Sequence, residues 1–229
     1  MLQVRPSDER GHNKLSWLDT RFTFSFDQYY DPKHVQFRAL RVLNEDVVAP
    51  GQGFGMHPHR DMEILTWILE GSLEHRDSMG TGAVIRPGEL QHMTAGTGVM
   101  HSEFNPSSKD PVRLLQIWIL PERKGLKPAY EQLAFSDAEL RNRFALVAGP
   151  EAPVTIRQDA NLYITRLDNG NEVKQSLESG RHAWVQVARG AVVVNGKELK
   201  AGDGAAISEE KEIRVESRDP SEVLLFDLA

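Results

Sequence analysis

The sequence predicts an all-β protein made of two barrel or sandwich domains. Three observations carry that expectation. Short apolar or alternating segments recur along the chain with turn signals closely spaced between them. Only one segment has the marks of a helix. A short pattern also recurs in the two halves. Trp67-Ile68-Leu69-Glu70-Gly71 is echoed from Trp184 to Gly190, and Arg86-Pro87-Gly88-Glu89 by Lys200-Ala201-Gly202-Asp203.

In chain order, Phe22-Thr23-Phe24-Ser25-Phe26 alternates with period two and reads as a strand. Val35 to Leu43 reads as the next, closed by Asn44-Glu45-Asp46. Pro50 to Gly55 is a glycine-rich loop, where glycine lets the backbone come close to a site. Met62 to Leu69 has the continuous apolar character of a buried strand. Leu73–Ser78 and Ala83–Arg86 form a hairpin around Met79-Gly80-Thr81-Gly82, with a turn at Pro87-Gly88-Glu89. Thr94 to Gly98 is a loop, and Leu114 to Leu120 is a central strand. The charged, proline-bracketed stretch Pro121–Pro128 reads as a linker, which divides the chain into domains 1–128 and 129–229. Ser136 and Glu139 have capping-box spacing and predict one short helix to about Arg143. Strands resume at Leu162–Leu167, Trp184–Ala188, Ala191–Val194, Ile213–Glu216 and Val223–Leu228. Asn169-Gly170 and Asn195-Gly196 mark turns.

The chemistry-bearing residues lie in the first half. Side chains two apart on a strand share a face, so His57 and His59 point the same way, about 7 Å apart at the backbone. His101 and Glu103 repeat that spacing. Three imidazoles and a carboxylate suit a borderline divalent ion such as iron, manganese, nickel, copper or zinc. An isolated His-x-His is often an ordinary surface pair. Two of them, each beside glycine-rich turns, point to one site. His75 and His92 flank the same half and are candidates to line the pocket, although such histidines are more often hydrogen-bonded or surface groups. The second half has no His-x-His, and His182 is the only histidine after His101. Its domain is expected to lack metal ligands.

Composition excludes several classes. There are no cysteines, hence no disulfides and no thiolate ligands. A net charge of −6 without a basic run gives no footprint for direct nucleic-acid binding. No apolar run approaches membrane-spanning length, and Met1–Pro6 lacks the apolar core of a signal peptide. A cytoplasmic monomer is the expectation.

Gly51, His57-x-His59, Glu63 and Gly71 resemble the first motif of the cupin superfamily. Gly98-x-x-His101-x-x-x-Asn105 resembles the end of the second. Two departures are that Glu63 and Gly71 lie one residue further apart than usual, and that Gly96 stands in the usual place of proline. Together with Gly51-Gln-Gly-Phe-Gly-Met-His-Pro-His59, Met62-Glu-Ile-Leu65, Ala95-Gly-Thr-Gly98 and His101-Ser-Glu-Phe-Asn-Pro-Ser-Ser108, they look like the pirin family. The likeness is strongest to its bacterial members resembling quercetin 2,3-dioxygenases. The resemblance implies a bicupin, two stacked jelly-roll β-barrels with one or two short helices. It implies a metal held by His57, His59, His101 and Glu103, with Glu63 not a ligand although spacing alone would allow it. The ion usually associated with the family is iron(II); zinc, manganese, nickel, cobalt or copper suit the same donors. The implied activity is cleavage of a flavonol such as quercetin by O2 with release of carbon monoxide, Glu103 acting as base. The other implied role is a non-enzymatic redox-sensing regulator that works through a protein partner.

Overall fold

A computed structural model describes residues 1–229. In chain order the strands are β1 (Leu2–Arg5), β2 (Gly11–Lys14), β3 (Leu18–Phe22), β4 (Leu40–Val48), β5 (Gly53–His59) and β6 (Glu63–Glu70). They continue as β7 (Leu73–Asp77), β8 (Gly82–Ile85), β9 (Glu89–Thr94), β10 (Val99–Phe104), β11 (Val112–Ile119) and β12 (Ala129–Ala134). A single helical turn, α1 (Asp137–Leu140), precedes β13 (Ala145–Gly149), β14 (Val154–Thr155), β15 (Ala160–Leu167), β16 (Glu172–Ser176) and β17 (His182–Arg189). The chain ends with β18 (Ala191–Val194), β19 (Lys197–Lys200), β20 (Gly204–Ser208), β21 (Glu212–Ser217) and β22 (Ser221–Leu228). A 3-10 turn covers Ser7–Glu9, so the helical content is two short pieces, within the one or two that the resemblance implies. No helix is long and apolar enough to cross a membrane.

These strands form two barrels of the same build, each a seven-stranded sheet facing a four-stranded one. The first pairs β12-β9-β6-β11-β4-β3-β2 with β5-β10-β7-β8. The second pairs β1-β20-β17-β22-β15-β13-β14 with β16-β21-β18-β19. Hydrogen bonding crosses the sequence division at residues 128 and 129. The N-terminal β1 pairs with β20 of the second barrel, and β12, just past the linker, pairs with β9 of the first.

The two large sheets pack against each other through a 24-residue core that includes Leu43, Leu65, Trp67 and Ile117 from one and Leu162, Trp184, Leu224 and Phe226 from the other. This explains the continuous apolar run of β6. Leu65 and Trp67 face the other barrel, while Ile64 and Ile68 face the interior of their own. The two interiors differ sharply. The second is filled by fifteen apolar residues, among them Val173, Val185, Val194, Ile213 and Leu225. The first buries polar groups in the same place: Thr66, His75, Gln91, His101 and Glu103.

Several local expectations need correction. The alternation of Phe22 to Phe26 is not a strand, since β3 ends at Phe22. Beyond it the chain folds back on itself, with Ser25 N donating to His34 O at 2.7 Å. Phe24 packs on Trp184 and Phe26 on Trp118, so the alternating aromatics anchor an excursion rather than a ladder. The strand expected over Val35–Leu43 starts only at Leu40, and Asn44-Glu45-Asp46 is its middle rather than its end. Asn44 and Asp46 share the face of Val48 and are buried, while Glu45 on the opposite face pairs with Arg113 and Arg10. The polar triplet is strand lining that only looks like a turn. Helix α1 carries both halves of its capping box but stops at Leu140, because Arg141 is already extended. The strand β9 was not legible, since Gln91, His92 and Thr94 dilute its apolar character.

Candidate metal centre

The glycine-rich stretch before the histidine pair is part loop and part strand, with β5 beginning at Gly53. A Cβ on Gly53 would lie 2.1 Å from the Glu103 carbonyl, so only glycine lets β5 approach β10 this closely. The two strands pair antiparallel with His57 opposite His101. A bulge between His101 and Glu103 then shifts Glu103 opposite Phe54. On its other side, β10 sets His101 opposite Asp77 and Glu103 opposite His75 of β7. Gly96, in the place usually held by proline, has φ +46. Proline cannot adopt that value, and any Cβ would meet the Leu126 carbonyl of the linker at 2.0 Å.

This pairing brings the rings together. Ring centroids lie 4.4 Å apart for His57 and His101, 4.7 Å for His59 and His101, and 4.8 Å for His57 and His59. One nitrogen from each lies within 4.8 Å of the others. Glu103 falls in a second, deeper cluster with His75 and His101, at the same spacing, so His101 belongs to both. A chain of hydrogen bonds orients the carboxylate. Thr66 Oγ1 donates to Gln116 Oε1 at 3.0 Å, which turns Gln116 Nε2 to donate to Glu103 Oε2 at 3.0 Å. His75 is fully buried against His101 and Tyr130. The sequence marks it only as a candidate to line the pocket and not as a ligand, although its i, i+2 spacing to Asp77 is a readable signal.

Burial sets the charge states. It pulls the His101 pKa down to about 2, helped by the neighbouring His57, His59 and His75. It also pulls His59 down to about 4, with His57 adding to the effect. Burial pushes Glu103 up to about 7, against the hydrogen bond from Gln116. Such rings are uncharged at neutral pH and their lone pairs are not competed for by protons. Two buried atoms in the cluster, His101 Nε2 and Glu103 Oε1, have no hydrogen-bond partner. Leaving such an atom bare costs about 1–3 kcal/mol. A cation between them removes that cost, so the residues present fit a divalent ion. The rim is aromatic: Trp118 lies 4.8 Å from His59, and Phe54 lies 6.5 Å from His57.

Glu63 has a different place. It shares the face of Leu65 and Trp67, which look towards the second barrel, so its carboxylate points away from the histidine cluster. There Glu63 Oε2 accepts from His92 Nε2 at 2.8 Å, Thr94 Oγ1 at 3.1 Å and the backbone N–H of Arg157 at 3.2 Å. The other nitrogen of His92 meets Glu131 Oε1 at 3.1 Å, and that oxygen also accepts from Thr155 N at 2.8 Å. An imidazole between two carboxylates donates from both nitrogens, which requires the charged form. Burial lowers the His92 pKa, but the hydrogen bonds to Glu131 and Glu63 outweigh it and the net shift is upward. The cluster borders a cavity of about 640 Å³ lined in part by Arg123, Lys127, Tyr130 and Arg157.

The His92 clamp ties the second barrel's Thr155–Arg157 segment to the first, and its pH dependence follows. A raised folded-state pKa contributes stability that is complete below the ordinary histidine value of about 6.5 and is lost as pH rises through the folded value. The Glu131 shift is downward, chiefly from the His92 hydrogen bond, so its contribution is present above its ordinary value and is lost in acid. Thermal unfolding of wild type and His92→Gln should therefore differ most between the ordinary carboxylate and histidine ranges, and the gap should narrow as pH rises through the raised His92 value. A gap that widens with pH would exclude the charged clamp.

Comparison with known proteins adds the following. The Pirin family model matches residues 3–119, and the model described as quercetinase C-terminal cupin domain matches residues 146–228. A protein of Escherichia coli K12 named quercetin 2,3-dioxygenase is 46% identical, covering 100% of this chain and 99% of its own. The crystal structure of the bacterial pirin YhhW from E. coli in complex with nickel(II) superposes with a TM-score of 0.93 at 45% identity, covering 100% of this chain and 99% of that one. YhaK of E. coli is more distant, with a TM-score of 0.74 and 33% identity over 91% of this chain and 92% of its own.

Proposed function

The chain belongs to the pirin family, and from that premise we propose that it is a metal-dependent dioxygenase of flavonols or similar aromatic enols, its ion held by His57, His59, His101 and Glu103. The observation that carries this reading is the convergence of His57, His59 and His101, with His101 shared by the deeper Glu103 cluster and two buried atoms left unpartnered, in a chain 46% identical to an enzyme of that name. Iron(II) and nickel(II) are the first ions to test; zinc, manganese, cobalt and copper suit the same donors. When bound, the ion supplies Lewis-acid activation of the substrate's 3-hydroxyl and open positions for substrate and O2.

The chain's own residues do the rest. Glu103 Oε1 makes no hydrogen bond, while Gln116 holds Oε2. In this reading Glu103 holds the ion through Oε1 and takes the 3-hydroxyl proton on that oxygen when its bond to the ion loosens. Trp118 and Phe54 flank the histidines and give a flat ring system an aromatic rim to pack against. In the net reaction both oxygen atoms of O2 enter the opened product. The carbon bearing the 3-oxygen leaves as carbon monoxide. The second barrel takes no metal in this reading, since its interior is aliphatic where the first has ligands.

The test is gas capture of carbon monoxide from quercetin, O2 and protein loaded with each ion in turn. Release should track flavonol loss. Glu103→Gln should keep part of the metal and lose about 10²–10⁴-fold in rate, the usual contribution of a positioned base. Full activity in Glu103→Gln would remove its role as base. Metal binding without any carbon monoxide above autoxidation would favour a regulator acting through a protein partner.

A further inference from the structure

We propose that His75 is a positioning residue that fixes the tautomer of His101, so that His101 offers its Nε2 lone pair to the ion; this rests on the metal-centre reading above. The argument is a chain of donors and acceptors with one direction. It starts at Asp77, whose two oxygens have separate duties. Oδ1 accepts the backbone N–H groups of Met79 at 2.8 Å and Thr81 at 3.0 Å. Oδ2 lies 3.1 Å from His75 Nε2. A carboxylate only accepts, so His75 Nε2 carries the hydrogen. The other nitrogen of a neutral imidazole is then an acceptor. The one lone pair of His75 Nδ1 is shared between Gln91 Nε2 at 3.1 Å, which donates to it, and His101 Nδ1 at 3.3 Å. Two lone pairs cannot face each other there, so His101 Nδ1 carries a hydrogen and points it at His75. The remaining nitrogen, His101 Nε2, is left unprotonated, and it is the buried atom with no partner in the protein.

Three strands hold this arrangement. His75 and Asp77 lie on β7, Gln91 on β9, and Tyr130 of β12 covers the His75 ring with centroids 4.9 Å apart. The groups behind metal-bound histidines generally orient the ring and choose its tautomer, and their loss costs about 10–100-fold in metal affinity. A rival role exists for His75, because it, His101 and Glu103 also come within 4.8 Å and it could bind the ion directly. Substitutions that keep one nitrogen position and not the other separate the two roles.

Asparagine places its amide oxygen about where His Nδ1 stands, and glutamine reaches the Nε2 position. His75→Asn therefore keeps an acceptor for His101, whereas His75→Gln keeps only the Asp77 side. Asp77→Asn tests the chain without touching a ring. Its amide oxygen must stay at the Oδ1 position to accept from Met79 and Thr81, which turns its NH2 towards His75 Nε2. Every role downstream then reverses, and the hydrogen ends on His101 Nε2.

The experiment measures nickel(II) affinity by competition with a chelator, and the nitrogen hyperfine pattern of the copper(II)-loaded protein by electron paramagnetic resonance. Wild type, His75→Asn, His75→Gln, Asp77→Asn and His59→Ala are compared. His75→Gln and Asp77→Asn should each lose about 10–100-fold in nickel(II) affinity. His75→Asn should stay near wild type, with the same number of coordinated nitrogens. Equal losses in His75→Asn and His75→Gln, or one fewer coordinated nitrogen in His75→Asn, would overturn the proposal and make His75 a ligand. Wild-type affinity in Asp77→Asn would also overturn it. His59→Ala guards the premise: if it retains nickel(II), the metal-centre reading fails. If it loses nickel(II) while the His75 and Asp77 variants bind normally, the tautomer proposal alone fails.

Discussion

Replacing His101 by alanine should empty the metal centre while leaving both barrels folded. Wild type should bind about one equivalent of metal per chain, since one barrel alone carries a ligand set. His101→Ala should bind close to none. His101 belongs to both ligand clusters and is buried, so its loss separates the His57–His59 pair from Glu103. The substitution does not endanger the metal-free fold to the same degree. The ring fills space, but it also buries a nitrogen with no partner, and removing that nitrogen offsets part of the cavity cost. The metal-free unfolding midpoint should move little, while the rise in midpoint on adding metal should vanish. For wild type that rise corresponds to about 2.7 kcal/mol at a free-ion concentration one hundred times Kd. Carbon monoxide release should disappear with the metal, and His59→Ala should behave in the same way. If His101→Ala kept a full equivalent and its metal-induced stabilisation, the ion would lie elsewhere.

Replacing Trp67 by alanine should destabilise the protein by about 3–5 kcal/mol, the usual cost of emptying a large buried aromatic site. Trp67 is fully buried at the centre of the core between the barrels, among residues of both. Its indole N–H donates to Glu222 across the junction. Without it that carboxylate keeps Arg166 as a partner at 3.0 Å but loses its buried donor. Denaturant unfolding followed by fluorescence and by circular dichroism should show the whole loss in one transition if the barrels unfold together. A loss below about 1 kcal/mol would mean that the junction contributes little to global stability. Metal content should stay at one equivalent, because Trp67 projects from the opposite face of β6 to the histidine cluster.

What the sequence shows by itself depends on which interactions are local. The placement of His57 with His59, and of His101 with Glu103, on shared faces is a property of any strand. The period of two alone made them candidates. The buried strands β6, β11, β17 and β22 were legible because a strand covered on both faces needs apolar residues throughout. Polar lining hid others. Asn44 and Asp46 imitate a turn, and β9 alternates between His92 on one face and Gln91 on the other. The linker Pro121–Pro128 was visible as a composition shift, but the exchange of β1 and β12 between the sheets was not. Strand pairing across long sequence separations leaves no local pattern.

The candidate metal centre divides in the same way. The sequence alone determined which residues carry suitable donor atoms and which of them share a face. Only the tertiary structure decided which face met which interior. Glu63 and Glu103 are the same residue type, each on a strand beside a histidine-bearing segment. One is turned to the junction and clamps the barrels through His92; the other is turned inward beside His101. His75 shows the same limit, since its ring gains a role only where β7, β9, β10 and β12 come together. The physical reason is that backbone geometry sets side-chain alternation within a few residues, whereas the environment each face enters depends on pairing between segments far apart in the chain.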